Sequence, residues 1–197
     1  MIKSKSDLCF YLEEDRKALG IPQLSLLGHV KDFFFPNEIW KFLKRLRYLE
    51  YYTNTQEYNP VKWIMKIVYK ILWRRQSLKL GFSIPINVCD YGLSIVHYGT
   101  IVISSNAHIG KYCRIHAGVN IGASAGRPEA PIIGDKVYIG PGAILFGNIE
   151  IADNCTIAAN ATVNKSFRIE HSIIAGTPAR VVKEDYKNWL EFNRLNV

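Results

Sequence analysis

A strict six-residue period runs through the middle of this chain. Stepping in sixes from Ile103 gives Ile109, Ile115, Ile121, Arg127, Ile133, Ile139, Leu145, Ile151, Ile157 and Val163, and only Arg127 breaks the aliphatic series. The fifth residue of each hexad runs Ala107, Cys113, Val119, Ala125, Pro131, Val137, Ala143, Ile149, Cys155, Ala161 and Phe167, almost all small or aliphatic. A helix repeats every 3.6 residues and a strand every two, so neither alone yields a strict six. Each hexad therefore reads as one short flat strand and a turn, with its first residue inward and its fifth where the chain bends. Gly110, Gly122, Gly134, Asp135, Gly140, Gly147, Asn148, Asp153 and Asn154 recur beside those bends, where left-handed backbone angles are expected. Three hexads close a triangular coil, so residues 85–182 hold about five coils, each stable only when stacked on its neighbours. The predicted fold is mainly β: a left-handed parallel β-helix preceded by an α-helical segment. A β-sandwich accounts poorly for the spacing.

The hexad that begins at Arg127 follows the small-residue run GASAG. The segment of about residues 122–132 is expected to leave the coil as a loop, with the frame resuming at Ile133. Loops on rigid scaffolds often carry function; a neutral insertion is the alternative.

The chain of 197 residues carries a net charge of +8, unevenly spread. Residues 1–80 hold 15 Lys/Arg against 8 Asp/Glu, so the basic character belongs to this segment. It lacks the hexad period and reads as helical. Asp7 is the expected cap of LCFYLEEDRKAL, Pro36 starts a second helix, and Asn59-Pro60 stands in cap and first-turn order for a third. On that third helix Lys62, Lys66, Lys70 and Arg74 form a cationic stripe beside Trp63, Ile64, Ile67, Val68, Ile71 and Leu72. Packing against the β-helix or a neighbouring subunit is one reading of it. Contact of residues 60–76 with an anionic membrane, near lipid-linked sugars, is the other. No nucleic-acid motif accompanies the charge. No apolar run reaches membrane-spanning length, and MIKSKSDLCFYLEED turns acidic before a signal core forms. A cytoplasmic location is expected, or the inner face of the membrane. Cys9, Cys89, Cys113 and Cys155 are scattered without a C-x2-C pair, so neither a zinc site nor a disulfide framework is expected. The organisation predicted is a helical segment over 1–80, a β-helix catalytic domain over 81–183 and a helical tail over 184–197.

The stretch IPINVCDYGLSIVHYGTIVISSNAHIGKYCRIHAGVNIGASAG, then IGPGAILFGNIEIADNCTIAANATV and IAGTPARVV, resembles the serine acetyltransferase branch of the hexapeptide acyltransferases over residues 84–182. The resemblance implies an acetyl-CoA-dependent enzyme, a homotrimer, and substrates bound between neighbouring β-helices. AGTPAR is similar to the family segment that lies along bound CoA. The family's catalytic histidine falls on His97, but its Asp neighbour is Val96 here. The orienting Asp aligns near Phe82, and the Arg-His pair that grips serine aligns with Glu129 and Ala130. These departures resemble the subgroup associated with surface-polysaccharide synthesis. The expected reaction is therefore acetyl transfer to a carbohydrate hydroxyl, with serine O-acetylation as the alternative and a non-catalytic scaffold as a remote one. A zinc-dependent lyase on this kind of fold needs three converging histidines, and the spacing of His97, His108 and His116 does not match.

Moving acetyl from a thioester to a hydroxyl requires a base, oxyanion donors and a positioned pair of substrates. His97 is the expected base; it stands six before Ile103, where an inward residue belongs, and an inward core histidine is the alternative. His116, one after Ile115, should point outward on the next level of the same wall as an acceptor ligand, a second candidate base or a surface histidine. Asp90 is the candidate to orient a base histidine, or a turn former. His29, His108 and His171 are expected in solvent. Backbone N–H groups of Gly122 and Ala123 are the expected oxyanion donors. By resemblance, acetyl-CoA runs along Ala123, Gly142, Ala159 and Thr177. Arg180 and Lys183 meet its phosphates, or else stand at a solvated end of the β-helix. No nucleophile motif is present, so direct attack in a ternary complex is expected.

Overall fold

The computed structural model describes residues 1–22, 37–55 and 59–193; His29 and Pro36 lie outside them, as does the end of the C-terminal tail. The chain winds through three flat walls in rotation. Wall A contains β1 (Phe82–Ser83), β3 (Ile101–Ile103), β6 (Asn120–Gly122), β9 (Ile144–Phe146) and β12 (Thr162–Val163). Wall B contains β4 (His108–Ile109), β7 (Ile132–Ile133) and β10 (Glu150–Ile151). Wall C contains β2 (Ser94–Ile95), β5 (Arg114–Ile115), β8 (Tyr138–Ile139), β11 (Thr156–Ile157), β13 (Ile173–Gly176) and β14 (Ala179–Lys183). All pairings are parallel except β13 with β14. The result is a parallel β-helix, and its hexad isoleucines fill the axis: Ile109, Ile115, Ile121, Ile133, Ile139 and Ile157 are fully buried.

The register dates each irregularity in the frame. Ile103 pairs with Ile121 three hexads on, whereas Ile121 pairs with Leu145 four hexads on. The additional hexad is the strandless run 123–131 between β6 and β7, so the Arg127 hexad leaves the coil as expected and Ile133 restores the frame. A second irregularity lies earlier. Ile95 and Ile103 both face inward, yet the step between them is two residues longer than a hexad. His97 falls in that longer turn and is exposed. The expectation of an inward His97 is therefore corrected: the surplus residues, not an axial position, carry it. At the far end the coil does not continue through residue 182. The chain reverses after Gly176 into the antiparallel β13–β14 pair.

Several corner glycines serve space rather than backbone angle. A Cβ on Gly110 would lie 2.6 Å from the backbone of Gly134, and one on Gly140 would lie 2.7 Å from the Ala159 nitrogen. Neither has a left-handed φ; those angles fall instead at Tyr112, Lys136, Asn154 and Asn160 among others. Stacked coils approach too closely at these corners for any side chain.

The described helices are α1 (Lys5–Ala18), α2 (Glu38–Asn54), α3 (Pro60–Leu80) and α4 (Trp189–Asn193). Ser4, rather than Asp7, caps α1; Asp7 closes a reciprocal capping box from the third position. Asn59 caps α3 with Pro60 in its first turn, and Gly81 ends it in a left-handed conformation. α2 plugs the N-terminal mouth of the β-helix. Its Phe42 ring lies 5.1 Å edge-on from Phe82, and Phe42, Leu43 and Leu46 are fully buried in the same cluster as the axial isoleucines. A solenoid needs such a cap because its terminal coil has no neighbour to cover it. Arg47, also fully buried, ties the plug down. It donates to Asp15 of α1 (2.8 Å), to Glu50 (3.0 Å) and to the carbonyls of Cys89 (2.8 Å) and Asp90 (2.7 Å). Asp15 in turn accepts from the Leu93 N–H at 2.9 Å. At the other end of the chain, α4 folds back on wall C, where Trp189 donates to the Tyr112 carbonyl and lies under Arg114.

Candidate active site

The turn that joins wall C to wall A stacks upon itself along the whole β-helix. Its levels are His97-Tyr98-Gly99, His116-Ala117-Gly118, Gly140-Pro141-Gly142 and Ala158-Ala159-Asn160, and below the last lies Ala175-Gly176-Thr177, where the chain reverses into β14 instead of entering wall A. Hydrogen bonds tie the lower levels together. Gly142 N–H donates to Ala117 at 3.0 Å, Asn160 N–H to Pro141 at 2.9 Å, and the Thr177 hydroxyl to Asn160 at 3.3 Å. Most side chains in the lower levels are Gly, Ala or Pro, so the corner is a shallow track with its backbone accessible. Gly142 has φ +71°, and a Cβ there would collide with the Asn160 side-chain oxygen at 2.2 Å. Four residues singled out from sequence, His97, Gly142, Ala159 and Thr177, thus share one corner, with His116 on the level after His97.

The two histidine rings at the head of the track lie 6.2 Å apart at 62°. His116 also packs 4.9 Å from the Tyr138 ring. Its Nε2 is buried with no hydrogen-bond partner among the described residues, and burial, with help from Arg114 and His97, holds its pKa below the usual histidine value. His116 is therefore half-buried rather than a plain surface histidine, and neutral at physiological pH. A buried, unpartnered ring nitrogen beside an exposed histidine is a place where a polar ligand atom compensates a cost the fold has left standing.

The other sequence candidates lie elsewhere. Asp90 is at the corner between walls B and C, where its carboxylate accepts from the Tyr11 hydroxyl at 2.9 Å. It lines a cavity of about 200 Å³ with Met1, Tyr11 and His108, so it is engaged by α1 and does not orient His97. Gly122 and Ala123 sit at the corner between walls A and B, with Gly147 N–H donating to the Gly122 carbonyl; within one protomer they do not adjoin His97. Arg180 and Lys183 lie on β14, both exposed; Arg180 pairs opposite Ala175 at the foot of the track, whereas Lys183 pairs opposite Ile173 at the other end of the wall, its ammonium 5.3 Å from the Tyr186 ring centroid. His108 is exposed as expected, whereas His171 is partly buried against the Tyr186 carbonyl. Ala130 is buried and Glu129 exposed in the loop.

Sequence reasoning missed Tyr98 and Tyr138. Tyr98 is largely exposed beside His97 and, with Ile39, Leu80, Glu38 and Lys79, lines a mainly apolar cleft of about 380 Å³. No period signals it, because it belongs to the lengthened turn. A larger cleft of about 670 Å³, lined by Lys3, Lys5, Tyr51 and Lys62 among others, lies at the start of α1, where the amides of Lys3, Ser4 and Asp7 are already bonded to the Asp7 and Ser4 side chains. The three thiols within the β-helix are buried and poor nucleophiles: burial pushes Cys89 up to about 12 and also raises Cys113 and Cys155, while the exposed Cys9 lies on α1, away from the track. No group of His, Cys, Asp and Glu among the described residues is arranged to hold a metal ion.

Fold and track together define a hexapeptide-repeat β-helix, and residues 130–165 match the family described as bacterial transferase hexapeptide (six repeats). A serine acetyltransferase of Synechococcus elongatus is 32% identical over 121 residues, which cover 60% of this chain and 49% of that protein. One from Staphylococcus aureus is 37% identical over 95 residues, covering 47% of this chain and 44% of its own. The chain thus spans about half the length of the curated relatives it matches. Among solved structures, the serine acetyltransferase of Neisseria gonorrhoeae in complex with serine superposes with a TM-score of 0.63 at 25% identity, covering 91% of this chain and 71% of that one. The serine acetyltransferase of Brucella abortus gives a TM-score of 0.67 at 22% identity over 93% of this chain and 71% of that one; at that identity the likeness is one of fold.

Proposed function

We propose that this protein is an acetyl-CoA-dependent O-acetyltransferase built on a left-handed parallel β-helix, with His97 as general base and serine as its acceptor. The observation that carries the proposal is the continuous small-residue corner running from His97 to Thr177. An extended thioester laid along Thr177, Ala159 and Gly142 would bring its acetyl end to the histidine level. The serine relatives support the choice of acceptor, and they leave the expected carbohydrate acceptor without support of their own.

In the proposed reaction His97 takes the proton of the acceptor hydroxyl. The freed oxygen attacks the thioester carbonyl, and the carbon–sulfur bond breaks as the tetrahedral intermediate collapses. The thiolate recovers the proton from the imidazolium. His116, neutral and lacking a partner, is suited to hold the acceptor hydroxyl toward His97. Gly122 and Ala123 stand on another corner, so they serve as oxyanion donors only if a neighbouring subunit supplies them; the trimeric assembly belongs to this proposal for that reason. Arg180, at the foot of the track, suits the phosphates of CoA; Lys183, opposite Ile173 at the other end of the wall, stands away from it.

A carbohydrate hydroxyl is the second reading. It is favoured by one observation: Glu129 and the buried Ala130 stand at the two loop positions where the resembling family carries its Arg-His pair, so neither position supplies a cation for a carboxylate. The discriminating experiment is CoA-thiol release from acetyl-CoA with L-serine, for the native protein and His97→Ala. Serine-dependent release that falls 10²–10⁴-fold in the variant, the usual worth of a general base, supports the proposal. Intact acetyl-CoA binding without serine turnover moves the acceptor to a sugar. Serine turnover that survives in His97→Ala removes His97 from the mechanism and passes its role to His116.

A further inference from the structure

α3 presents two unlike faces. Tyr69 stacks on Tyr48 at 4.8 Å, Gln76 bonds Arg45 and Glu38 of α2, and Leu80 is buried. The opposite face is apolar and open: Val61, Ile64, Val68, Ile71 and Leu78 follow one another at helical spacing, with exposures from 39% to 75%. Scattered apolar residues on a surface need no explanation, but a contiguous stripe does. At 1.5 Å per residue it is about 25 Å long. Trp63, 63% exposed, stands at its edge. Lys66, Lys70 and Arg74 line one flank, Arg75 interrupts the stripe between Ile71 and Leu78, and the helix contains no Asp or Glu in its 21 residues.

We infer that this face docks on an anionic lipid surface, α3 lying in the plane of the interface. Charge chooses the occupant. A second copy meeting this face would bring cation against cation, with no carboxylate on either helix to relieve it, whereas an anionic bilayer satisfies stripe and flanks together. No described helix is long and apolar enough to cross a membrane, so attachment is peripheral. The Trp63 ring then sits at headgroup depth, where amphipathic aromatics are favoured.

The test is flotation of the full-length protein with phosphatidylcholine vesicles, and with phosphatidylcholine vesicles containing phosphatidylglycerol. The protein should float with the anionic vesicles at low salt and be released by high salt. Lys66→Gln/Lys70→Gln/Arg74→Gln should weaken binding about 100-fold, as three surface cations are each worth several-fold. Ile64→Ser/Ile71→Ser, which leaves the charge unchanged, should abolish it. All the substituted side chains are exposed except the half-buried Lys66, and unchanged circular dichroism and melting will show that both variants fold. Absence of flotation, or equal flotation with neutral vesicles, overturns the inference. So does a change of sedimentation coefficient in Ile64→Ser/Ile71→Ser where the native protein ignores lipid, because the face is then a contact between copies.

Discussion

Removing Arg47 tests whether the helical plug and the β-helix are one cooperative unit. Its guanidinium is fully buried and joins α1, the rest of α2 and the first coil through Asp15, Glu50 and two carbonyls. In Arg47→Met, Asp15 keeps only the backbone amides of Leu93 and Gly92 among the bonds described, and Glu50 keeps the Asn87 amide. Truncating one partner of a buried ion pair costs about 3–5 kcal/mol, because the charge left behind is uncompensated. For a chain of this size that lowers the melting temperature by roughly 6–20 °C. The sign of the pH dependence follows from Asp15. Burial already raises its pKa despite Arg47, and without the guanidinium it rises further. The folded variant then binds a proton that the unfolded chain, at the same pH, does not, so its stability falls as pH rises. The deficit should be largest near neutrality and shrink on acidification. Urea unfolding of both proteins at equal protomer concentration, followed by circular dichroism at neutral and mildly acidic pH, measures it. Asp15→Asn/Arg47→Met, which keeps an acceptor for Leu93 and removes one orphaned charge, should be more stable than Arg47→Met alone. A loss below about 1 kcal/mol in Arg47→Met, or a deficit that grows with acid, refutes the reasoning.

Gly140→Ala should cost about 1–3 kcal/mol by overpacking, because its Cβ meets backbone rather than a movable side chain; it should also weaken acetyl-CoA binding, measured by calorimetry, because the track shifts at Ala159. His116 should make the protein less stable as pH falls below the ordinary histidine range, since its depressed pKa lets the unfolded chain bind the proton first. In His116→Gln that part of the pH dependence of the melting temperature should vanish. Trp189→Ala should expose Tyr112 and free Arg114, lowering the melting temperature while leaving the far-UV spectrum of the β-helix unchanged.

The hexad period exposed the walls, the axial column and the loop at Arg127, because each depends on one residue class recurring at fixed distance. Gly142, Ala159 and Thr177 came from the family resemblance rather than from the period and do share one corner, whereas Ala123 of the same set does not. What the period misjudged was local. His97 was placed inward by extending the period backward from Ile103 through a turn that holds two surplus residues, and nothing in the composition of HYGT marks where they enter. The corner glycines were read as backbone-angle residues, whereas Gly110 and Gly140 answer to the coil next door, a distance that a sequence does not display. Asp90 drew attention as a lone carboxylate near a histidine in the chain; its actual partner, Tyr11, is 79 residues away. The reversal into β13–β14 was hidden because the final residues still alternate as a coil strand would.

That reversal bears on how the molecule behaves in a crowded solution. A stack of parallel coils ending bare would offer its last strand to the first strand of another molecule, and growth by such addition has no natural stopping point. Here the last strand of wall C runs against the grain, so a parallel coil from a second molecule finds the wrong polarity. Arg180, Lys183, Glu184 and Asp185 follow along that edge and keep it wet. At the opposite end α2 occupies the mouth. A domain whose architecture is open to unlimited extension is thus closed at both ends by its own chain, and should stay as discrete particles at concentrations where a bare repeat would form fibres.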